Sequence, residues 1–328
     1  MQPKAIEVVL TTCPAALRLG SVSPAHPSTK GSGQLDELVT EGRPSSPKDY
    51  ESLSTVELVE LMNGEDTRVP AAVAAISDRL AGVVDAVVTK LRGGGRLIYV
   101  GAGTSGALAA VDAGECESTF STRPGQVVAL VAGAALAPGA ARDAAEDDAQ
   151  AGVQAIHALG VSADDAVLGV SASGRTPYVI GALEAAAAAG ALTACVVSVP
   201  DSELARICEH ELAVVVGPEF VAGSTRLKAG TAQKLVLNTI STLAMIRLGK
   251  TYGDLMVDVA ATNEKLRARA RRAVELATGA SDEDVDGALA AAGGNAKIAI
   301  VSLLAGIDAA SATERLERAA GNVREALR

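Results

Sequence analysis

Residues 96–115 most constrain what this chain can fold into, because they combine three elements in one stretch, RLIYVGAGTSGALAAVDAGE. The apolar run at residues 97–100 is typical of a strand buried on both faces of a parallel sheet. Gly103, Thr104 and Ser105 follow it, and an alanine-rich segment with a helical composition comes next. Free backbone N–H groups at the positive end of a helix dipole bind anions. The stretch therefore predicts a strand, a phosphate-binding loop and a helix.

The same loop, residues 101–106, also fits the G-x-G-x-x-G pattern of a dinucleotide site. That interpretation needs a carboxylate at the end of the second strand to bind the ribose hydroxyls. The second apolar run, residues 127–131, continues as Ala-Gly-Ala and has no carboxylate there. A phosphorylated small molecule is therefore favoured over a nicotinamide cofactor. A tight turn with a purely structural role is the remaining alternative.

A second loop, SASGRT, repeats this chemistry after another apolar run. Ser171 and Ser173 offer hydroxyls, and Arg175 offers a charge that can bind a phosphate through two N–H groups. Thr176 stands where a helix would begin. Each hydroxyl also fits the role of a helix cap, and Arg175 that of a surface charge. Two such loops together favour a sugar-phosphate site.

Strands alternate with helices through the middle of the chain. The predicted strands occupy residues 97–100, 127–131, 166–170, 192–197 and 212–216, and the predicted helices occupy residues 70–93, 140–159, 179–189 and long segments after 224 and 262. This alternation predicts an α/β fold with a parallel five-stranded sheet flanked by helices and a small helical appendage at the C-terminus. Both loops then lie at the carboxyl edge of the sheet, where such folds bind ligands.

The chain divides into three predicted parts. Residues 1–35 lack a sustained hydrophobic period and predict a mobile extension, or a start assigned too far upstream. Residues 36–278 contain the sugar-phosphate domain with its flanking helices, which include a capping box at Ser54 and Glu57. Residues 279–328 form the helical C-terminal part.

Composition excludes several classes of function. A net charge of −10 and a pI near 4.9 argue against nucleic acid or an anionic membrane surface as partner. No apolar run reaches the length of a membrane span. The four cysteines lack metal-ligand spacing, and the three histidines lie outside every motif. We therefore expect a cytoplasmic protein without a metal or cofactor, in which carboxylates perform any acid and base chemistry.

Several longer motifs resemble the N-acetylmuramic acid 6-phosphate etherases of the sugar isomerase (SIS) domain superfamily. They are GAGTSG, DAGEC, GVSASGRTPYV, GSTRLKAGTAQKLVLNTIST and DLMVDVAATNEKL, and the match covers nearly all of the chain from about Glu37. The resemblance implies a flavodoxin-like SIS fold. It also implies removal of D-lactate from carbon 3 of the sugar by elimination and hydration, without a cofactor.

Two glutamates receive roles from this resemblance alone. It implies Glu115 as the proton donor to the leaving lactate and Glu146 as the second acid/base residue. Composition by itself marks Glu146 as part of a solvated acidic cluster and Glu115 as an exposed helix end. The resemblance also implies contacts of Asn263 and Lys265 with the substrate, whereas Lys228 and Lys234 are equally well explained as solvated helix residues.

Spacing along the first helix adds a constraint. Thr104 and Glu115 are eleven positions apart, which is about 16 Å along an unbroken helix. This exceeds the length of one sugar phosphate. Either the helix ends early and folds back, or Glu115 serves the site of a partner subunit, so we expect a homodimer with sites near the subunit interface.

The chain departs from the family pattern at four positions around this helix. Ala107 replaces an arginine, Gly114 replaces a serine, and Glu117 and Ser118 replace a pair of prolines. These changes bear on substrate affinity and on the direction of Glu115. Two other functions share the same loops: an aldose–ketose isomerase of the superfamily, and a non-catalytic sugar-phosphate sensor.

Overall fold

Five parallel strands form a sheet in the order β2-β1-β3-β4-β5. They are β1 (Leu97–Gly101), β2 (Val127–Val131), β3 (Ala166–Val170), β4 (Leu192–Val197) and β5 (His210–Ala213). The structure is a computed structural model that describes residues 42, 49–136, 139–259 and 263–328, so the predicted extension lies outside the described residues. The order 2-1-3-4-5 is that of flavodoxin-like folds. The predicted fold class is confirmed.

Helices cover both faces of the sheet and continue beyond it. They are α1 (Thr55–Asp66), α2 (Arg68–Ala74), α3 (Ser77–Arg92), α4 (Gly103–Phe120), α5 (Ala140–Ala144), α6 (Ala149–Leu159), α7 (Pro177–Ala188), α8 (Lys228–Arg247), α9 (Glu264–Thr278), α10 (Asp282–Ala291), α11 (Ala296–Ala305), α12 (Ala309–Arg318) and α13 (Val323–Ala326). A short hairpin, β6 (Thr251–Tyr252) and β7 (Leu255–Met256), connects α8 to α9. In the described part of the chain no single helix is long and apolar enough to span a membrane, and α10 and α11 reach that measure only as a pair bent by 119°.

Alternation along β1 shows how the core is divided. Leu97 and Tyr99 join α3, α4 and α8 in one cluster of buried residues, whereas Ile98 and Val100 join α6 and α7 in another. Successive side chains of a strand point to opposite faces, so a strand covered on both faces is apolar at every position. This is why the apolar runs predicted β2, β3 and β4 with their observed bounds.

Three predicted elements differ from the structure. The fifth strand lies two residues earlier than predicted, because His210 pairs with Ala194 of β4 while Val216 packs beyond the sheet. The predicted helix at residues 140–159 breaks into α5, a 3-10 turn and α6, since the Asp148 side chain accepts a hydrogen bond from Ala151 N and caps α6. The predicted helix at residues 70–93 divides into α2 and α3 at Ile76.

The C-terminal helices form a third buried cluster. It contains residues of α10 to α13, but also Val257 and Val274, which precede the predicted boundary at residue 279. Helix α9 therefore packs with the helices that follow it. We propose that the C-terminal helical unit begins near the β6–β7 hairpin.

Candidate active site

The first loop forms the uncapped start of α4. Ala102 is extended and makes no side-chain cap, and Gly103 has a φ of +52° that places the backbone in the left-handed region. Gly106 N donates to Ala102 O at 3.0 Å, so the N–H groups of Gly103, Thr104 and Ser105 precede the first intrahelical bond. Thr104 is exposed and Ser105 is half-buried. These three N–H groups and two hydroxyls suit a phosphate.

The other two glycines of this loop have a packing role. A Cβ on Gly106 would lie 2.6 Å from Val131 Cγ1 and 2.8 Å from Gly101 O. A Cβ on Gly101 would lie 2.8 Å from Gly106 N. The first turn of α4 therefore rests directly on the end of β1, and only glycine at both positions allows that approach.

The second loop is held together by its own hydroxyls. Ser171 is buried, accepts a hydrogen bond from Gly174 N at 3.1 Å, and shares a hydrogen bond of 2.9 Å with Thr176. Ser173 Oγ accepts from Arg175 N at 3.3 Å. Arg175 is exposed, and Ser173 and Thr176 are half-buried. Ser171 thus shapes the loop from inside, while the other three residues lie nearer its surface.

The two loops lie side by side. Strands β1 and β3 are hydrogen-bonded neighbours, and Gly101 pairs with Val170, so both strands end at the same level. Strand β2 lies on the other side of β1. Ligands of such sheets bind where the strand order reverses, outside the carboxyl ends of the strands. The predicted pairing of the loops at this edge is confirmed.

Glu146 lies near the second loop. It belongs to a 3-10 turn (Ala145–Asp147) directly before α6. The start of α6 packs closely on the first turns of α7, because a Cβ on Gly181 would lie 2.2 Å from Ala149 O. Partial burial raises the pKa of Glu146, and the neighbouring charges of Asp147 and Asp143 raise it further. Glu146 is thus a carboxyl that holds its proton more strongly than usual.

Glu115 lies away from both loops within one chain. Helix α4 is unbroken from Gly103 to Phe120, so the early end considered above is wrong. Glu115 is exposed about 16 Å along the helix from Thr104. Its neighbour Cys116 is buried, and burial together with Asp112 and Glu115 raises the pKa of that thiol to about 12. The structure of a single chain does not bring Glu115 to the loops.

Departures from the family pattern explain why α4 continues so far. A proline at residue 117 or 118 would lack the N–H that an interior helix position donates and would bend or end the helix. Glu117 and Ser118 permit the helix to continue, and the Ser118 hydroxyl donates to Glu115 O at 3.2 Å. Ala107 and Gly114 are exposed on the same helix.

A buried carboxylate fixes α4 against its neighbours. Asp112 is only 5% exposed and accepts hydrogen bonds from Tyr99 Oη at 2.8 Å, Asn238 Nδ2 at 2.5 Å and Ser241 Oγ at 3.0 Å. Burial and the Asp112 charge hold the pKa of Tyr99 well above its ordinary value. These bonds connect β1, α4 and α8. The sequence analysis missed this cluster, whose members are up to 129 positions apart.

The start of α8 is occupied by the protein itself. Glu219 is fully buried and accepts hydrogen bonds from Lys228 N at 3.0 Å and Ala229 N at 2.9 Å. Lys228 is also fully buried, and its Nζ donates to Glu65 and to Pro218 O. Its interpretation as a solvated lysine is therefore wrong. Glu219 leaves α4, rather than α8, as the open helix start for a phosphate.

The remaining predicted residues lie at the start of α9 or on the exposed side of α8. Asn263 Oδ1 accepts a hydrogen bond from Leu266 N at 2.9 Å and so caps α9. Asn263, Lys265 and Lys234 are exposed. Because α9 packs in the C-terminal cluster, contacts of Asn263 and Lys265 with a substrate stay a prediction.

Comparison with known proteins agrees with this site. The SIS domain family matches residues 149–243, and the glucokinase regulatory protein N-terminal SIS domain family matches residues 79–187. An N-acetylmuramic acid 6-phosphate etherase from Rubrobacter xylanophilus is 56% identical over 90% of this chain and 97% of its own length. One from Escherichia coli is 46% identical over 90% of this chain and 99% of its own. A solved phosphoheptose isomerase from Francisella tularensis is 18% identical over 59% of this chain and 100% of its own, with a TM-score of 0.47. At these identities and lengths of match to curated relatives, the chain belongs to the N-acetylmuramic acid 6-phosphate etherase family.

Proposed function

We propose that this protein is an enzyme that cleaves the D-lactyl ether of N-acetylmuramic acid 6-phosphate, giving N-acetylglucosamine 6-phosphate and D-lactate. The observation that supports this most is the pair of hydroxyl-lined loops beside each other at the carboxyl edge of the sheet. They suit the phosphate of such a substrate, and the relatives that share this sequence are named for the same reaction. The reaction would serve the recycling of cell-wall sugars in the cytoplasm.

The chemistry is elimination followed by hydration. In the ring-opened sugar, the aldehyde acidifies the hydrogen on carbon 2, and a carboxylate removes it as the bond between carbon 3 and the ether oxygen breaks. A carboxylic acid gives its proton to that oxygen, which leaves as lactate. Water then adds its oxygen to carbon 3, and a proton returns to carbon 2. The raised pKa of Glu146 makes it a stronger base near neutral pH, and Glu115 is the proposed acid.

Glu115 would act in the site of a second copy of the chain. Helix α8 runs alongside α4, since Ser105 contacts Gln233 and Asp112 contacts Ser241. Val111 of α4 is 64% exposed, one turn before Glu115, and α8 also exposes Leu243 and Ile246 near its end. Exposed apolar side chains around a catalytic carboxylate suit an interface. We therefore propose a homodimer whose sites combine the loops of one subunit with Glu115 of the other.

Lactate release from N-acetylmuramic acid 6-phosphate tests the proposal. The wild type should release D-lactate, whereas Glu115→Gln and Glu146→Gln should lose nearly all of the rate. Absence of lactate with the wild type would refute the etherase activity.

A mixing experiment tests the shared site separately. In a symmetric dimer, a 1:1 mixture of Glu115→Gln with an inactive variant of the first loop should restore about a quarter of the wild-type sites. No recovery, with dimer exchange shown by differently tagged subunits, would contradict the shared site and leave the etherase activity intact.

A sugar-phosphate sensor is the second candidate. The match to the glucokinase regulatory protein SIS domain family and the distance of Glu115 from the loops favour it. Binding of the sugar phosphate without lactate release would support the sensor, and isomerisation without lactate would support an isomerase.

A further inference from the structure

One buried amide beside the first loop lacks a hydrogen-bond partner. Gln233 of α8 is 2% exposed, and its Nε2 is the only buried side-chain nitrogen or oxygen without a partner among the residues that the structure describes. Unpaired buried N–H groups are rare in proteins and unfavourable. The other atom of the same amide, Oε1, accepts a hydrogen bond from Ser105 Oγ at 2.9 Å. The unpaired group therefore lies beside a predicted phosphate ligand.

The position of Gln233 follows from the packing of α8 on α4. A Cβ on Gly230 would lie 3.5 Å from Thr104 Cγ2, which places the first turn of α8 against the start of α4. Gln233 is one turn further along α8 and faces Ser105. Because Gln233 is almost fully buried, it does not touch a ligand in the loop itself. It can act only through the Ser105 hydroxyl.

The observed bond directs the Ser105 proton away from the loop. A serine hydroxyl has one proton, and here that proton is donated inward to Oε1. If the amide turns by half a rotation, Nε2 donates to Ser105 Oγ instead, and the hydroxyl proton is free for an anion. Oε1 then loses its donor, but an unpaired carbonyl is better tolerated than an unpaired N–H. The turned arrangement forms a chain of donors from Nε2 through Oγ to the anion, in which each bond strengthens the next.

We propose that Gln233 is a positioning residue for phosphate binding, which turns its amide to orient the Ser105 hydroxyl toward the bound anion. The inference rests on the proposed phosphate site at the start of α4. Its ligand class is a phosphate monoester with at least two acceptor oxygens, because the α4 N–H groups and the Ser105 hydroxyl donate together.

Substitution of Gln233 by glutamate is the sharpest test. A carboxylate only accepts hydrogen bonds, so Gln233→Glu keeps the Ser105 proton inward and adds negative charge near the phosphate. We expect the Kd for inorganic phosphate, measured by calorimetry, to rise at least tenfold. The KM for lactate release should rise equally with kcat nearly unchanged. Gln154→Glu, at an exposed position of α6, makes the same charge change away from the loop and should leave the Kd unchanged.

A second variant keeps the test valid if the glutamate disturbs folding. Gln233→Met has a similar size and no donor, so it should fold as stably as the wild type and weaken phosphate binding. Ser105→Ala should then weaken binding less in the Gln233→Met protein than in the wild type, because both changes remove the same chain of bonds. Additive effects, or a Gln233→Glu protein that binds phosphate like the wild type, would overturn the proposal. If the wild type itself does not bind phosphate, the proposed site fails and this inference fails with it.

Discussion

Gly106 offers a direct test of how α4 is held on the sheet. A Cβ at this position would lie 2.6 Å from Val131 Cγ1 and 2.8 Å from Gly101 O. The side chain of Val131 can turn, but the backbone oxygen of Gly101 cannot move without disturbing β1. Gly106→Ala should therefore push the start of α4 away from the sheet by several tenths of an ångström.

The expected magnitude comes from two opposing effects. Alanine favours a helix interior over glycine by about 1 kcal/mol, whereas overpacking costs about 1–3 kcal/mol. Gly82→Ala is the matched control, because Gly82 lies inside α3 and no atom lies within 4 Å of its Cβ position. Both variants share the helix gain, so their free energies of unfolding should differ by about the overpacking cost, 1–3 kcal/mol.

The assay combines urea unfolding with phosphate binding. Displacement of the N–H groups at residues 103–105 weakens charge-assisted hydrogen bonds worth about 1.5–3 kcal/mol each. One lost bond then raises the KM for lactate release about tenfold or more, while Gly82→Ala should leave it unchanged. Equal stability of the two alanine variants, with equal KM, would refute the close seating of α4 on β1.

Further predictions concern the carboxylates. Asp143→Asn with Asp147→Asn removes two negative charges that raise the pKa of Glu146, so that pKa should fall and the acidic limb of kcat/KM should move to lower pH; an unmoved limb would contradict Glu146 as the base. Asp112→Leu leaves three buried donors unpaired at about 1–3 kcal/mol each, so calorimetric unfolding should show a loss of at least about 3 kcal/mol, and an unchanged melting temperature would count against the cluster. Lys228→Met leaves the Glu65 carboxylate without its buried ammonium partner and should lower the urea midpoint, whereas Lys234→Met, at an exposed position, should not.

Most of the sheet was predictable because its strands are buried on both faces. Val127, Leu168 and Cys195 stand in runs that are apolar at every position, and such runs mark parallel strands directly. The fifth strand was placed two residues late because its bounds depend on pairing with β4, which a local pattern does not contain. The break before α6 was missed because Asp148 reads equally well as a helix residue or a cap.

The candidate site was predictable only in part, for the same reason. Thr104, Ser105, Ser173 and Arg175 follow strands in sequence, so their place at the carboxyl edge follows from the order of elements alone. Glu146 and Glu115 entered through family resemblance, and no local pattern marks either as catalytic.

The sequence by itself determined the α/β class, the two hydroxyl-bearing loops and the family, because each depends on short patterns of burial and backbone conformation. Only the tertiary structure decided that Gly101 and Gly106 seat a helix, that Lys228 is buried and that Gln233 stands behind Ser105. Ser105 and Gln233 are 128 positions apart. Their hydrogen bond exists only because α4 and α8 pack side by side, and that packing is a property of the whole core rather than of either segment.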